Sequence, residues 1–428
     1  MNDGHHPSLL PDSPSISDSV RRSIEADYER FANQGLPASL EEYLADHYRL
    51  DVSAEYAGSQ IRNPWGKASG QLSMTARQVE EDVEAGLGFI VLKTVIAQDE
   101  TGSQSMEAWA IKESRMVAEP VVGKSGEQGW TISWKGRGWW QSFDDYLQLI
   151  RDAQQIARST GTLIVPSCKY HLPTPDEDFW KISEYEYTTQ QLLKAWQEHA
   201  ENENAPMPLE KDFSPTLAGS DRATTQAKIL EWLRTVPRLI REAAQVGSDD
   251  ATQRPVRVGL KIFNALFDDD FQLEMLNTIH APGEDRPDFY IFANRLFDPN
   301  REFDGHQGIA YGGPDLSDRN LRVMSEFIRR EGDVTSTLPW CATGNIVTGK
   351  MALEYALRGA SSFQLHTFFQ LPADQYRMTT GSKIQKALNE LYFHPQTGFI
   401  VWMHHLADVL DLQTDPIRFR DVIGQMPR

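Results

Sequence analysis

Residues 339–369, PWCATGNIVTGKMALEYALRGASSFQLHTFF, read as strand, glycine turn, helix, glycine stop and second strand. Trp340 to Thr343 is a short apolar run that ends on Gly344. Thr348 or Gly349 then opens a helical pattern with Ala352, Leu353, Ala356 and Leu357 on one face. Gly359 stands where a helix C-cap wants positive φ. The second strand, 363–365, ends in His366 and Thr367. Two parallel strand ends with small residues and free backbone N–H groups are what the last strand pair of a (β/α)8 barrel uses to hold a phosphate. A βαβ unit without a ligand fits the same pattern, because a glycine turn is a weak motif on its own.

Working outward, strands followed by helices repeat along the chain. FIVL at 89–92 runs into Lys93 and Thr94; 143–157 is helical; 162–165 is a strand leading into Pro166, Ser167, Cys168 and Lys169. LEKDFSPT at 209–216 is a candidate strand end, 223–244 a helix, and VRVGLKIF at 256–263 a strand with Lys261 inside it. A strand at 289–293 ends at Asn294, and AYGG at 310–313 is a glycine turn before a helix over 318–329. This spacing suits a parallel barrel. The expected class is therefore α/β, a TIM (β/α)8 barrel over 50–375, with an N-terminal helical extension over 17–49 and C-terminal helices over 376–428. Residues 1–16, rich in Pro, Ser, Asp and His, are expected to be a disordered tail. Trp130, Trp134, Trp139 and Trp140 fall in a long insertion that reads either as a lid over the barrel mouth or as a loop glued down by its aromatics.

At 428 residues the chain is long enough for such a barrel with extensions. A formal charge of −19 argues against nucleic-acid or membrane-surface binding, which needs clustered Lys and Arg. Cys168 and Cys341 are the only cysteines, so a disulfide framework or a cysteine-held cluster is not expected, and a reducing cytoplasm fits best. No apolar run approaches the ~20 residues of a transmembrane helix, and a signal-peptide core is not expected. His404 and His405 are adjacent, not at metal-ligand spacing, and read as structural.

These segments carry a resemblance. LDVSAEYAGSQIRNPWGKASG (50–70), FIVLKT, Asn294, YGGPDLSDRNLRVMSEF (311–327) and the opening stretch resemble, in order, segments of the dihydroorotate dehydrogenase family and of the related flavin domain of dihydropyrimidine dehydrogenase. The resemblance implies a flavin mononucleotide (FMN) site at the C-terminal face of the barrel. It would place Ala68 and Ser69 against the flavin, Lys93 and Thr94 on the ring or its substrate, and Lys261 at the N1/O2 edge. Reduced flavin carries negative charge near N1, so a fixed ammonium suits that edge. Gly312, Gly313, Gly344, Asn345, His366 and Thr367 would surround the phosphate, with Lys211 also near the cofactor. The family's base falls on Ser214, with Cys168 as the fallback, and Asn294 joins the catalytic set. The implied enzyme is an FMN-dependent oxidoreductase acting on a C–C bond adjacent to a carbonyl of a small-molecule substrate. Its electron partner would be a diffusible molecule or another protein. Relatives are often homodimers, but no interface is legible.

Departures from the family bear on the substrate. Lys211 and Thr216 stand where the family places asparagines, and SWKGRGWW (133–140) replaces an asparagine-containing loop. Asparagine side chains hold both edges of a pyrimidine, so orotate, dihydroorotate and uracil fit poorly. Lys135, Arg137, Trp139, Lys211 and Arg295 suggest a larger or more anionic ligand. Two other readings stay open. One is a lyase or isomerase on a phosphorylated substrate, with Lys261 or Lys211 forming a Schiff base. The other is a flavin-free barrel that only binds, since His366 replaces the usual glycine beside the phosphate.

Overall fold

The computed structural model describes residues 8–112, 116–134, 138–202, 205–213, 222–246, 254–264, 267–303, 305–332 and 338–426. Ten strands make one curled, parallel sheet: β1 (Trp65–Lys67), β2 (Phe89–Val91), β3 (Val95–Ile96), β4 (Leu163–Val165), β5 (Ser167–Lys169), β6 (Met207–Asp212), β7 (Val256–Phe263), β8 (Phe289–Asn294), β9 (Trp340–Thr343) and β10 (Ala360–Leu365). The spatial order is β3-β5-β6-β7-β8-β9-β10-β1-β2-β4. Parallel strands covered on both faces are written as near-continuous apolar runs. In β7, Val258, Leu260 and Ile262 are fully buried.

Register fixes which side chains share a face, because partners in a ladder point the same way and neighbours along a strand point oppositely. Asp212 pairs with Lys261, and Ser167 with Glu210. Cys168 pairs with Lys211, and Lys211 with Leu260, which puts these on the other face. That second face is covered by α3 (Ala76–Glu84), α4 (Phe143–Ala157), α5 (Ile182–Gln197), α6 (Arg222–Gln245), α7 (Asp269–His280), α8 (Pro314–Glu331) and α9 (Gly349–Leu357). Helix starts are locally encoded: Ser142 and Asp145 form a reciprocal capping box on α4, and Thr348 accepts the Met351 N–H at 3.0 Å on α9.

A second layer joins the two ends of the chain. Helices α1 (Asp18–Gln34) and α2 (Leu40–Tyr48) pack with α10 (Lys383–Phe393) and α11 (Phe399–Val409), where the Phe31 and Phe393 rings stand 4.9 Å apart. The tail expected to be disordered is tied down over its described part. Ser8 Oγ and the Leu10 N–H donate to Glu354 at 2.6 and 2.9 Å, Leu10 is buried, and the Ser15 N–H donates to His405 Nδ1 at 3.1 Å. Residues 1–7 lie outside the described residues. The polar composition that reads as a loose end is instead a set of donors for one buried carboxylate.

Two antiparallel hairpins rise beside the sheet: Met116–Val122 with Gln128–Trp134, and Leu296–Phe303 with His306–Tyr311. The second falls where the sequence reads only as a glycine turn. Arg301 and Glu119 pair between them at 3.1 Å, and the Gly312 N–H donates to Thr131 Oγ1 at 2.9 Å.

Candidate active site

At the C-terminal ends of the strands, one cavity is lined by Ala68, Ser69, Lys93, Thr94, Lys261, Asn294, Gly312, Gly313, Gly344, Asn345, His366 and Thr367. About 920 Å³ there, mouth included, is free of protein atoms, yet only about 140 Å³ admits the centre of a water molecule. Most of the space thus lies within a water radius of a wall, so the cavity is narrow. Trp130 from the first hairpin also lines it, together with Asp212, Arg295 and Gln364.

Cys168 and Lys211 do not join this cavity. Both are fully buried on the helix-covered face, and burial above all pushes the Cys168 thiol far up, so it is a poor base there. Lys211 Nζ donates to the Asp212 carbonyl at 2.9 Å and sits over the Phe213 ring. Ser214, Lys135 and Arg137 lie outside the described residues. Trp139 is buried against Tyr146 of α4 and donates its indole N–H to the Ser142 carbonyl at 2.9 Å, so it glues the insertion down.

Three features define the electrostatics of the wall. Ser69 Oγ, Thr94 Oγ1 and Ser167 Oγ form a chain of hydroxyls at 2.8 and 3.0 Å across neighbouring strands. Next to it stands a lysine group around Asp212. Lys169 Nζ lies 3.1 Å from Asp212 and 4.5 Å from the Trp109 ring centre. Burial presses the Lys93 ammonium down to about 7; Asp212 opposes this shift, while Lys169 and Lys261 add to it. Burial raises the Asp212 carboxyl, but Lys169, Lys261 and Lys211 outweigh it and hold the group below the usual carboxylate range. Beneath them is a buried network. Lys261 Nζ donates to Gln364 at 3.0 Å and lies 4.0 Å from Glu210, whose other oxygen accepts from Tyr56 and Gln364.

The opposite end is built from backbone. Gly344 has φ 116°, and a Cβ there would fall 2.8 Å from Asn320 Nδ2. A Cβ on Gly312 would sit in ordinary contact, 3.8 Å from Leu316 and 3.9 Å from Thr131. Asn345 Nδ2 donates to Ser317 at 3.0 Å, and its buried Oδ1 has no hydrogen-bond partner among the described residues. His366 folds back over the loop after β1, where a Cβ on Gly70 would lie 2.1 Å from its Nε2. Burial, then the cations Arg295, Lys67, Lys93 and Lys261, keep the imidazole neutral by pushing its titration far below the usual range.

No family model matches the chain, and no curated protein matches it in sequence. Among solved structures it is similar to DHODH of Eimeria tenella in complex with ferulenol, with a TM-score of 0.55, 13% identity and 97% of each chain covered. The chain has a DHODH-like fold. The cavity lies at the C-terminal ends of the strands of this fold.

Asp212, Glu210, Gln364 and Lys169 are the site groups that sequence reasoning passed over. A signal for the first existed: Asp212 alternates with Lys211, and the strand partner of Lys261 must share its face. Among the described residues no helix is long and apolar enough to cross a membrane.

Proposed function

We propose that this chain is an FMN-dependent oxidoreductase acting on a C–C bond beside a carbonyl, built on a closed (β/α)8 barrel. Closure is supported by the strand pairs. Pro166 alone separates β4 from β5, and β2 precedes β3 in one continuous segment. Taken as two strands rather than four, they leave each strand paired with the next, and the last, through Phe363 and Trp65, with the first. The observation that carries the function is the cavity itself, which gathers every described residue that the resemblance assigns to the flavin apart from Lys211.

The residues fit the group. Main-chain N–H groups at Gly313, Gly344 and Asn345 would hold a ribityl phosphate, and the unpartnered Asn345 oxygen, an acceptor, suits a ribityl hydroxyl. Lys261, braced by Gln364 and Glu210, supplies the fixed cation for the pyrimidine edge of the ring. Bound there, FMN would supply hydride transfer. The chain's own part is to hold the substrate against Lys93 and Asp212 and to move a proton, for which Ser214 remains the candidate by resemblance. Of the charged replacements, Arg295 lines the cavity, and with Lys93 and Lys261 it supports an anionic substrate over a pyrimidine. The electron partner is a diffusible molecule or a second protein, and the cytoplasm is the proposed setting.

A lyase working through Lys261 or Lys211 draws no support from this geometry, since one amine is engaged and the other faces the helices. The test is the visible spectrum of the purified protein with identification of any cofactor released by heat. Stoichiometric FMN is expected. A colourless protein that takes up no added FMN would remove the oxidoreductase reading and leave a barrel that only binds.

A further inference from the structure

Five lysines are buried among the described residues: Lys67, Lys93, Lys169, Lys211 and Lys261. Four are engaged. Lys67 Nζ is 2.8 Å from Asp82, Lys169 Nζ is 3.1 Å from Asp212, Lys211 Nζ donates to a carbonyl at 2.9 Å, and Lys261 Nζ donates to Gln364 at 3.0 Å. Lys93 makes no side-chain hydrogen bond or ion pair with any described residue, and it lines the cavity. A strand end therefore presents one buried amine with open space in front of it.

We propose that Lys93 is a nucleophilic amine that captures a small 2-oxo acid as an imine. A lysine becomes a nucleophile at neutral pH when it is desolvated or set beside other cations, because both favour the free amine. Lys93 has both, being 3% exposed with Lys169 and Lys261 as neighbours. The other titratable groups facing it are Asp212, which opposes the shift, and His366, which stays neutral. With its ordinary value brought down to about 7, roughly half of the side chains carry a free lone pair at that pH. Arg295 and Lys261 line the same cavity and suit the carboxylate of an oxo acid.

In the step itself the Nζ lone pair attacks the carbonyl carbon and the carbonyl oxygen takes up a proton. Loss of that oxygen as water leaves the C=N bond, so amine and carbonyl give imine and water with no change of oxidation state. Asp212 and the Thr94 hydroxyl line the same cavity and can carry these protons. An imine acidifies the neighbouring C–H, which suits a reaction at the adjacent C–C bond, but the inference rests on the cavity and not on the flavin.

The experiment uses the full chain as purified, with pyruvate as probe, borohydride to reduce any imine, and peptide mapping by mass spectrometry. One reduced adduct per chain on Lys93 is expected, absent from K93M, with yield rising as pH passes through about 7. Adducts spread over exposed lysines with Lys93 untouched, or Lys93 modified only above about pH 9 where an ordinary lysine begins to react, would overturn it. If K93M fails to fold, the mapping of the wild-type chain decides. A colourless protein trapped on Lys93 keeps this inference and removes the oxidoreductase reading; a yellow one with no adduct on Lys93 does the reverse.

Discussion

Two groups of buried charge sit at opposite sides of the sheet and are built differently. Behind β9 and β10, Arg358 NH1 lies 2.8 Å from Glu354, its Nε donates to Ser325 at 2.7 Å, and Glu354 also accepts from Ser8 and from the Leu9 and Leu10 N–H groups. At the cavity, Lys169 pairs with Asp212, Lys261 is held by Gln364 with Glu210 4.0 Å away, and Lys93 is left over. A closed set balances charge and donors, so it serves the fold. An open set carries an imbalance that only something outside the chain can complete, which is the mark of a functional site.

The largest expected effect breaks the closed set. E354Q removes the partner of a buried guanidinium and is expected to cost about 3–5 kcal/mol in urea unfolding. Burial raises the Glu354 carboxyl, but Arg358 and the tail donors outweigh it and hold it below the ordinary range. Its contribution is thus present above the unfolded carboxylate range and is lost as pH falls through the folded value. The deficit of E354Q should shrink in acid; an unchanged deficit would mean that the pair is not ionised.

The open set should answer with the opposite sign. K93M removes an unmatched buried amine and is expected to stabilise the chain by about 2 kcal/mol at pH 7, measured with and without added FMN. Between about 7 and 10.5 the unfolded chain holds the Lys93 proton that the folded chain has released, so wild-type stability rises with pH across that window. The advantage of K93M should therefore fade towards pH 10.5. A loss of stability at pH 7 would place Lys93 among the structural cations and end the contrast.

The smallest expected effect concerns the tail. S8A deletes one donor to the Glu354 carboxylate, worth about 1.5 kcal/mol, and a lowered Tm is the readout. No change would mean that residues 8–10 do not help to close that set.

Sequence made the open set more legible than the closed one. Lys93, Lys261 and the glycines at 312, 313 and 344 stand at strand ends, where local pattern gives both position and direction. Lys211 was misplaced by one residue of register: the same strand offers Lys211 and Asp212, and alternation turns one to the helices and the other to the cavity. Cys168 fails for the same reason beside Ser167. The closed set was illegible because Ser8 and Glu354 are far apart in the chain, and nothing local announces that a polar tail will return to one carboxylate. The hairpin over 296–311 was missed because its strands, mostly half-exposed, lack the apolar runs that marked the sheet.

The Gly70 and His366 contact links a residue outside the cavity to one that lines it. A Cβ at position 70 would fall where the imidazole now lies, so a side chain there requires the His366 ring to turn away. A residue with a Cβ at 70 therefore re-aims one wall of the cavity without changing any residue that lines it.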